Sequence, residues 1–280
     1  MSRSSTLSVA IVCYRPDISL LSKTIESVNA AIGYAQDRGE LGETALWLID
    51  NGPHQEGETT DITSLLRGER VQLNGVPVEV IRCEENLGYG RGHNLAIRRT
   101  SKDYHLILNP DVILAEDALS QALAFMGAHS DVGLLAPAVT GEDGAPHYLC
   151  KRYPAVFDLL LRGFAPRAVQ RLFRKRLAYY EMRDVLNTAT ALDVPMVSGS
   201  FMFFRRPVLS KLGGFTDDLF LYFEDFDLSQ RTREIARTAY VPAVRIRHFG
   251  GNAAKKGMAH VWMFIKSAFI FYNKHGWRWW

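Results

Sequence analysis

The chain has 280 residues, of which 33 are lysine or arginine and 30 are acidic, and 47% are hydrophobic. This length allows one large domain or two small ones, each with a full core. No apolar run approaches the roughly 18 residues that a membrane span needs, and no secretory signal precedes the first strand-like stretch. The three cysteines lie far apart, which argues against a disulfide framework and fits a reducing cytosol. We expect a cytoplasmic globular protein.

The net charge of +3 is unevenly distributed. Residues 151–183 hold nine basic residues and two acidic ones, and residues 255–280 hold five basic residues and no acid. Four of the five tryptophans also lie after residue 260. Such asymmetry indicates a polyanionic partner or an anionic surface, and aromatic residues beside basic ones suit a membrane–water interface. The alternative for the last helix is packing on the core. We expect peripheral association with the inner face of the plasma membrane.

The first half of the chain alternates short apolar runs with helical patterns. Spacings of three and four predict a helix along Ile18, Leu21, Ile25, Val28, Ile32 and Ala35. A second helix should begin near Arg91, and strands are predicted at Ser8–Tyr14, Ala45–Asp50, Val78–Cys83 and Tyr104–Leu108. Strands that alternate with helices predict an α/β fold with a mostly parallel, Rossmann-like central sheet flanked by helices.

The second half is less regular. Helices are predicted at Glu116–Ala128, across the basic region Ala155–Tyr180 and around Val261–Tyr272, where the pattern is amphipathic. Strands are predicted at Gly133–Val139, Val194–Arg205 and Tyr240–His248. No linker rich in Pro, Gly or Ser divides the chain, so we predict a single domain over residues 1–280.

Polar clusters follow the predicted strands, where ligands bind in α/β sheets. Asn109 and Asp111 end one strand, and Asp111 is suited to a divalent cation that bridges a diphosphate. The alternative is a turn in which Asp111 caps the next helix. Asp50 ends another strand and could accept the N3–H of a pyrimidine base, or form an Asx turn. His248 ends the last predicted strand and could bind a metal or a phosphate, or be structural.

Two further segments carry candidate chemistry. The run Asn86–Asn94 is rich in glycine, but its spacing does not match a dinucleotide fingerprint. We expect its backbone to approach a bulky ligand, with Arg91 or His93 near the phosphates. The run Phe220–Leu228 places three carboxylates among aromatic residues, where burial raises carboxyl pKa values toward those of a general base. The alternative is an ordinary acidic helix N-terminus.

Recognisable motifs follow one another along the chain: Ile-Asp-Asn (49–51), Asn-Leu-Gly-Tyr-Gly (86–90), Leu-Asn-Pro-Asp (108–111), Ser-Gly-Ser-Phe-Met (198–202), Gly-Gly-Phe (213–215), Tyr-Phe-Glu-Asp-Phe-Asp-Leu (222–228) and Arg-His-Phe-Gly-Gly (247–251). Their order resembles that of family 2 glycosyltransferases over about residues 8–272. The resemblance is strongest to bacterial rhamnosyltransferases, which build O-antigen and related cell-surface polysaccharides from dTDP-L-rhamnose.

This resemblance implies a GT-A fold and an inverting transfer that requires Mg²⁺ or Mn²⁺. It implies that Asp225 is the general base, with Glu224 as the alternative, and that Asp111 and His248 lie at the metal. The expected substrate-binding residues are Tyr14, Asp50, Asn86, Gly88, Arg91, Asn94, Asn109, Ser198, Gly199 and Ser200. Residues 7–112 would bind the nucleotide sugar, residues 113–252 the acceptor, and 253–280 would form an aromatic, basic helix. The acceptor would be a saccharide or a polyprenyl-diphosphate-linked sugar.

Other functions remain as alternatives. A family 2 enzyme could use another sugar, such as galactofuranose, N-acetylglucosamine or glucose. A sugar nucleotidyltransferase would need a glycine-rich loop after the first strand, and Cys13–Leu20 contains no glycine. A nucleic-acid-binding module should interleave aromatic and basic residues on one surface, whereas the densest aromatic cluster here surrounds carboxylates. We therefore expect no nucleic-acid partner.

Overall fold

The computed structural model describes residues 4–52, 62, 70–73, 75–186, 189–250 and 257–280. The strands are β1 (Ser5–Cys13), β2 (Leu41–Asp50), β3 (Arg70–Leu73), β4 (Val76–Arg82), β5 (Tyr104–Leu108), β6 (Val112–Leu114), β7 (Val132–Thr140), β8 (Ala191–Leu192), β9 (Phe201–Arg205) and β10 (Arg237–His248). The helices are α1 (Ile18–Asp37), α2 (Tyr89–Ile97), α3 (Ala118–Ala128), α4 (Val156–Phe164), α5 (Arg167–Leu172), α6 (Arg174–Tyr180), α7 (Arg206–Leu212), α8 (Glu224–Arg233) and α9 (Met258–His275).

All the strands belong to one sheet, with the order β3-β4-β2-β1-β5-β9-β7-β10-β6, and β8 pairs with β10. The strands β4, β2, β1 and β5 are parallel, as the alternation of strands and helices predicts. The strand β9 then runs antiparallel to both β5 and β7. The α/β class and the helix-flanked central sheet are confirmed. The sheet is mixed, because the second half of the chain joins it through β9.

Strand β1 shows why the sheet lies at the centre of the fold. Leu7, Val9 and Ile11 enter one core cluster, and Ala10 and Val12 enter another on the opposite face. A strand buried on both faces has a continuous apolar sequence, which is what this segment shows. Helices α1 and α3 cover the first face, and α2 and α8 lie on the second. Helix α1 begins after Asp17, whose carboxylate accepts a hydrogen bond from the Leu20 amide at 3.1 Å.

Two predicted elements differ from the structure. The strand expected over Val194–Arg205 forms only as β9, because residues 194–200 leave the sheet. Pro195 has no amide hydrogen to donate to a ladder, and Met196 makes an isolated bridge to Lys151 instead. The basic region predicted as one helical stretch forms α4, α5 and α6, and Pro166 lies at the first break.

The C-terminal segment packs against the basic region. On α9, Phe271 and Tyr272 are buried with Phe223 and Leu219. The tail beyond α9 then runs along α4, where the Val156 amide donates to the Arg278 carbonyl at 2.8 Å. The two basic stretches of the sequence are therefore neighbours in space. Within the described ranges, no helix combines the length and the apolar character that crossing a membrane requires. Lys255 and Lys256 lie outside the described residues.

Candidate active site

Several predicted site residues lie at the carboxyl edge of the sheet. Asp50 ends β2 beside Cys13, which ends β1. The Asn51 amide donates to the Cys13 carbonyl at 2.8 Å, which fixes the direction in which the chain leaves the sheet. Asp50 is buried, whereas Tyr14 is 48% exposed beside Gly52. The edge thus offers a buried carboxylate and an accessible aromatic ring to the same ligand.

Two asparagine side chains hold the glycine-rich loop against this edge. The Asn51 side-chain amide donates to the Gly88 carbonyl at 3.0 Å and to the Asn86 side-chain oxygen at 3.1 Å. The Leu87 and Gly88 amides donate to Asn51 and Asn86 respectively, both at 2.9 Å. Because these groups satisfy one another, Asn86 acts here as a brace of the loop.

Gly88 occupies a backbone position that other residues would strain. Its φ is 81°, in the left-handed region that favours glycine. A Cβ atom there would also collide with the Phe220 carbonyl oxygen, which accepts a hydrogen bond from the Tyr89 amide at 3.0 Å. The glycine therefore lets the loop pack directly on the segment that precedes α8.

The remaining polar residues of the loop differ in their surroundings. Asn94 is buried, and its amide exchanges two hydrogen bonds of 2.9 Å with the Phe215 backbone. His93 is fully buried between Tyr89 and Phe215, and this burial lowers its pKa well below the usual value. Arg91 is partly exposed and donates through Nε to the Leu87 carbonyl at 2.8 Å. Asn94 and His93 thus face the protein, and Arg91 alone of the three reaches the surface.

Asp111 and His248 come together, although 136 positions separate them in sequence. The imidazole Nε2 of His248 lies 3.3 Å from Oδ1 of Asp111. That oxygen is buried and has no hydrogen-bond partner among the described residues. The Phe249 amide donates to the Asp111 carbonyl at 3.0 Å, which fixes the end of β10 against the turn after β5. A side chain at Gly250 would collide with Asp111, so the glycine keeps this carboxylate accessible.

This pair fits the requirements of a divalent cation that also binds a diphosphate. Mg²⁺ in such sites takes one or two carboxylates, with phosphate oxygens and waters in the remaining positions. Asp111 supplies a buried carboxylate oxygen without a partner in the described structure, and His248 supplies a nitrogen beside it. Among all the residues that the structure describes, no cluster of three or more His, Cys, Asp or Glu side chains could hold a metal ion. A cation here would therefore rely on its ligand for most of its coordination.

Asp225 lies at the start of α8 with its carboxylate held by backbone amides. Oδ2 accepts a hydrogen bond from the Gly199 amide, and Oδ1 accepts one from the Phe226 amide, both at 2.9 Å. Burial raises the pKa of this carboxyl, and the backbone hydrogen bonds oppose the rise. The Ser198-Gly199-Ser200 segment, which directly precedes β9, thus orients Asp225 through the Gly199 amide.

Glu224 is the more deeply buried of the two neighbouring carboxyls. Its Oε2 has no hydrogen-bond partner within the described segments. Burial raises its pKa, and the adjacent Asp225 raises it further. The two residues before it, Tyr222 and Phe223, have φ values of 70° and 65°. Each such non-glycine conformation costs about 1–3 kcal/mol and is concentrated at functional sites.

Tyr89 connects the two groups of acidic residues and was not among the predicted site residues. Its hydroxyl donates to the Gly199 carbonyl at 2.5 Å. Burial raises the pKa of Tyr89 well above its usual value, and the carboxylates of Glu224, Asp225 and Asp111 raise it further. The phenol therefore lies within electrostatic range of both sites. Its position directly after Gly88, in a loop expected to approach a ligand, was the available sequence signal.

A cavity of about 230 Å³ opens beside the paired carboxyls. Its wall combines aromatic, basic and acidic side chains, namely Leu149, Lys151, Leu159, Arg162, Tyr180, Ser198, Tyr222, Phe223, Glu224, Asp225, Phe226 and Phe264. Neither Asp111 nor His248 is among the described residues that line it. Asp111 and His248 therefore form a cluster separate from the described residues that line this cavity.

A comparison with protein families identifies the class to which this arrangement belongs. The family model "Glycosyl transferase family 2" matches residues 8–213, which is most of the chain and includes β1 to α7. The chain belongs to glycosyl transferase family 2. The family resemblance stated from the motifs is confirmed.

Curated relatives of this family 2 glycosyltransferase are rhamnosyltransferases. An N-acetylglucosaminyl-diphospho-decaprenol L-rhamnosyltransferase of Mycobacterium tuberculosis (strain ATCC 25618 / H37Rv) is 24% identical over 287 residues, which cover 98% of this chain and 86% of the relative. Rhamnosyltransferase WbbL of Escherichia coli (strain K12) is 26% identical over 171 residues, which cover 58% of this chain and 61% of that protein.

Solved structures share the fold of this glycosyltransferase at low sequence identity. A crystal structure of GalNAc-T7 with UDP, GalNAc and Mn²⁺ has a TM-score of 0.60 and 17% identity. The mannosyltransferase PcManGT from Pyrobaculum calidifontis, in complex with GDP-Man and Mn²⁺, has a TM-score of 0.57 and 18% identity. They cover 89% and 93% of this chain, whereas the chain spans 45% and 60% of theirs. The GT-A fold is confirmed by these similarities.

Asp227 has a different role from its two acidic neighbours in this glycosyltransferase. Its side chain is fully buried. Oδ2 accepts from Arg231 Nε at 2.8 Å, while Oδ1 lies 2.7 Å from Lys274 Nζ and 2.8 Å from His275 Nε2. These partners lower its pKa against the opposing effect of burial. Asp227 therefore links the helix that carries Asp225 to the C-terminal helix.

We use the term aromatic-basic surface for the exposed apolar and basic side chains of α4, α5, α6, α9 and the C-terminal tail of the glycosyltransferase. Trp280 stacks on Phe157 at 4.5 Å, and Arg176 lies over the Trp280 ring at 4.3 Å, so the tail, α4 and α6 are in contact. The exposed members of this surface are Leu160, Phe164, Arg167, Arg171, Leu172, Arg174, Lys175, Trp262, Ile265, Lys266, Phe269, Trp279 and Trp280.

Proposed function

We propose that the protein is an inverting glycosyltransferase that moves a sugar from a nucleotide-sugar donor onto an acceptor hydroxyl, with Asp225 as the general base. The observation that carries the proposal is the Asp225 carboxylate, which two backbone amides orient at the wall of the cavity. Its raised pKa brings this group closer to the range in which a base works near neutral pH. We also propose that residues 1–280 act as one domain, which the pairing of β5 with β9 within a single sheet supports.

The reaction is a single displacement. The acceptor oxygen forms a bond to the anomeric carbon of the donor while the bond from that carbon to the diphosphate oxygen breaks. Asp225 takes the acceptor proton, and the nucleoside diphosphate leaves with the bonding electron pair. Attack on the side opposite the leaving group inverts the anomeric centre. Base and leaving group must lie on opposite faces of the sugar, and Asp111 is not among the described residues that line the Asp225 cavity, which agrees with this requirement.

The sheet edge would hold the donor. Asp50 accepts the N3–H of the pyrimidine base, and Tyr14 offers its exposed ring beside it. Asp111 and His248 would hold Mg²⁺ or Mn²⁺, and the cation would stabilise the negative charge that develops on the leaving diphosphate. The Mn²⁺ in the two similar structures supports this assignment. Asn86 and Asn94 shape the donor pocket through the backbone, and Asn109 follows β5 into it, where its amide donates to the Ser200 carbonyl at 3.1 Å.

We infer that the transferred sugar is L-rhamnose, supplied as dTDP-L-rhamnose. The names of the curated relatives support this donor. The alternative is another nucleotide sugar, with galactofuranose, N-acetylglucosamine or glucose. A panel of nucleotide sugars, tested by thermal shift with and without Mn²⁺, distinguishes them, because a ligand that binds the native state raises its apparent stability.

We expect dTDP-L-rhamnose to give the largest stabilisation, and we expect Asp111→Ala to abolish both that shift and its dependence on Mn²⁺. A larger shift with UDP-N-acetylglucosamine would refute the rhamnose assignment alone. The absence of a shift with every nucleotide sugar would refute the donor site.

The acceptor would be a saccharide linked to a polyprenyl diphosphate, reached at the cytoplasmic face of the plasma membrane. The aromatic-basic surface supports this placement, because apolar rings beside arginines and lysines bind anionic lipid interfaces. Replacing Trp262 and Trp279 by Ser should lower binding to anionic vesicles in a flotation assay, and high salt should lower it further. Ile235→Ser, an exposed apolar position on another element, is the matched control. Unchanged flotation in the double variant would mean that the rings are structural.

A further inference from the structure

The cavity beside Asp225 has a basic wall that the proposed mechanism does not use. Lys151 and Arg162 both line it. Lys151 is buried and is held by the Tyr148 carbonyl and by the isolated bridge to Met196. Arg162 lies on α4 with half of its side chain exposed. A buried lysine and a partly exposed arginine thus enter the cavity from its inner wall and from its rim.

On the basic side of the cavity, a single carboxylate, that of Glu181, is shared among several cations. Glu181 lies 3.5 Å from Lys151 Nζ, 3.7 Å from Arg162 Nε and 2.5 Å from Arg183 Nη2. One carboxylate therefore faces three cations. Burial and the nearby Arg162 lower the pKa of Lys151 to about 8, while Glu181 opposes this effect. A buried cation that is incompletely compensated is costly unless an anion joins it.

The same cavity contains the residues that the proposed mechanism assigns to the acceptor. Asp225 and Glu224 line the same cavity, whereas the donor carboxylates Asp50 and Asp111 are not among its described lining residues. The aromatic rings around Phe223 provide apolar faces for a sugar. On α4, the exposed Leu160 and Phe164 share one side of the helix, and Arg162 lies on the other, because residues two positions apart in a helix face different sides.

We propose that Lys151 and Arg162 form a subsite for the diphosphate of a lipid-linked acceptor sugar. The proposal rests on the proposed function and extends it by naming what holds the acceptor. In this arrangement the sugar hydroxyl faces Asp225, the diphosphate lies between Lys151 and Arg162, and the lipid leaves at the solvent-exposed rim beside Arg162. The planar guanidinium of Arg162 suits bidentate contact with phosphate oxygens.

The test compares two soluble acceptors that contain the same sugar. One is N-acetylglucosamine diphosphate with a short isoprenoid chain, and the other is the octyl glycoside of N-acetylglucosamine, which lacks phosphate. We expect Arg162→Gln to raise KM for the diphosphate acceptor by roughly tenfold or more, as loss of a charged hydrogen bond implies. KM for the octyl glycoside and the donor affinity should not change. Arg162→Lys should give an intermediate KM, since it keeps the charge and loses the fork.

The matched control is Arg233→Gln, which makes the same substitution at an exposed position outside the cavity. It should leave both KM values unchanged. Lys151→Gln should act like Arg162→Gln, with its folding checked by circular dichroism. Equal effects of Arg162→Gln on the two acceptors, or no effect on either, would overturn the subsite while leaving the transferase function intact. A wild-type enzyme that transfers sugar to neither acceptor with any donor would instead overturn the proposed function.

Discussion

Replacement of Asp225 by Asn tests the chemistry most directly. The substitution keeps the size of the side chain and removes the proton acceptor. A positioned general base contributes about 10²–10⁴-fold in rate, which corresponds to roughly 2.7–5.4 kcal/mol of activation free energy at 1.36 kcal/mol per tenfold change. We expect kcat to fall by that factor. The donor dissociation constant should not change, because the proposed donor residues Asp50 and Asp111 are not among the described residues that line the Asp225 cavity.

The structure also indicates what the substitution does to folding. The carboxylate accepts hydrogen bonds from the Gly199 and Phe226 amides, whereas the asparagine side chain has one acceptor oxygen and an NH₂ group. One hydrogen bond is lost, at a cost of about 1–3 kcal/mol in unfolding free energy. Removal of a charge beside buried Glu224 offsets part of this cost. A calorimetric melt should therefore show a folded protein, so that a loss of turnover reports on catalysis.

The assay measures transferred sugar by mass spectrometry and donor binding by isothermal titration calorimetry across a range of pH. The base must be ionised, and its pKa is raised, so wild-type kcat should rise with pH through a midpoint above the ordinary aspartate value of about 3.9. Glu224→Gln is the control. Near wild-type turnover in Asp225→Asn together with an inactive Glu224→Gln would exchange the two roles. Full activity in both variants would make the acidic segment structural and refute the mechanism.

Three further predictions concern stability. Glu224 in the folded protein holds its proton to a higher pH than in the unfolded chain, so its burial destabilises the protein increasingly as pH rises above about 4.3. The unfolding free energy of Glu224→Gln, measured by urea titration, should therefore increase relative to wild type between pH 5 and pH 8. A difference between the two proteins that stays constant over this range would contradict the prediction. Asp227→Asn removes a buried charge that contacts His275, and it should lower the unfolding free energy by about 3–5 kcal/mol in the same titrations. An unchanged urea midpoint would mean that the ion pairs of Asp227 contribute nothing to stability. Gly88→Ala should lower the melting temperature through its positive φ and its contact with Phe220, whereas Gly127→Ala, in an open position on α3, should raise the unfolding free energy by about 0.5–1 kcal/mol.

The parallel half of the sheet was predictable because its strands and helices have clear periodicity. The apolar spacing from Leu21 to Ala35 predicted the buried face of α1, and β5 was predicted with the bounds it has in the structure. The irregular structure of residues 194–200, before β9, was not predictable, because the apolar residues Val194 and Met196 are buried by packing outside the sheet and not by pairing within it. Short strands such as β6 depend on pairing with β10, which local sequence does not encode.

The candidate site shows the same limit. The types of residue that carry the chemistry were evident in the sequence, since acids among aromatic residues require partners or a task. Their partners were not evident, because Tyr89 contacts Gly199 across 110 positions and Gly199 contacts Asp225 across 26, in both cases through tertiary packing. The separate role of Asp227 was hidden for the same reason: two of its three basic partners, Lys274 and His275, lie near the end of the chain.

The pairing of β5 with β9 bears on how such enzymes can be recombined. Leu108 pairs with Phe201, and the Asn109 amide donates to the Ser200 carbonyl, so the loop after β5 and the loop before β9 share one backbone ladder. An exchange of either loop alone would shift the register of both. The segment between β7 and β8 adds no strand to this ladder, yet it carries Lys151 and Arg162. Chimeras intended to change the acceptor should therefore exchange residues 141–190 and keep β9 from the parent.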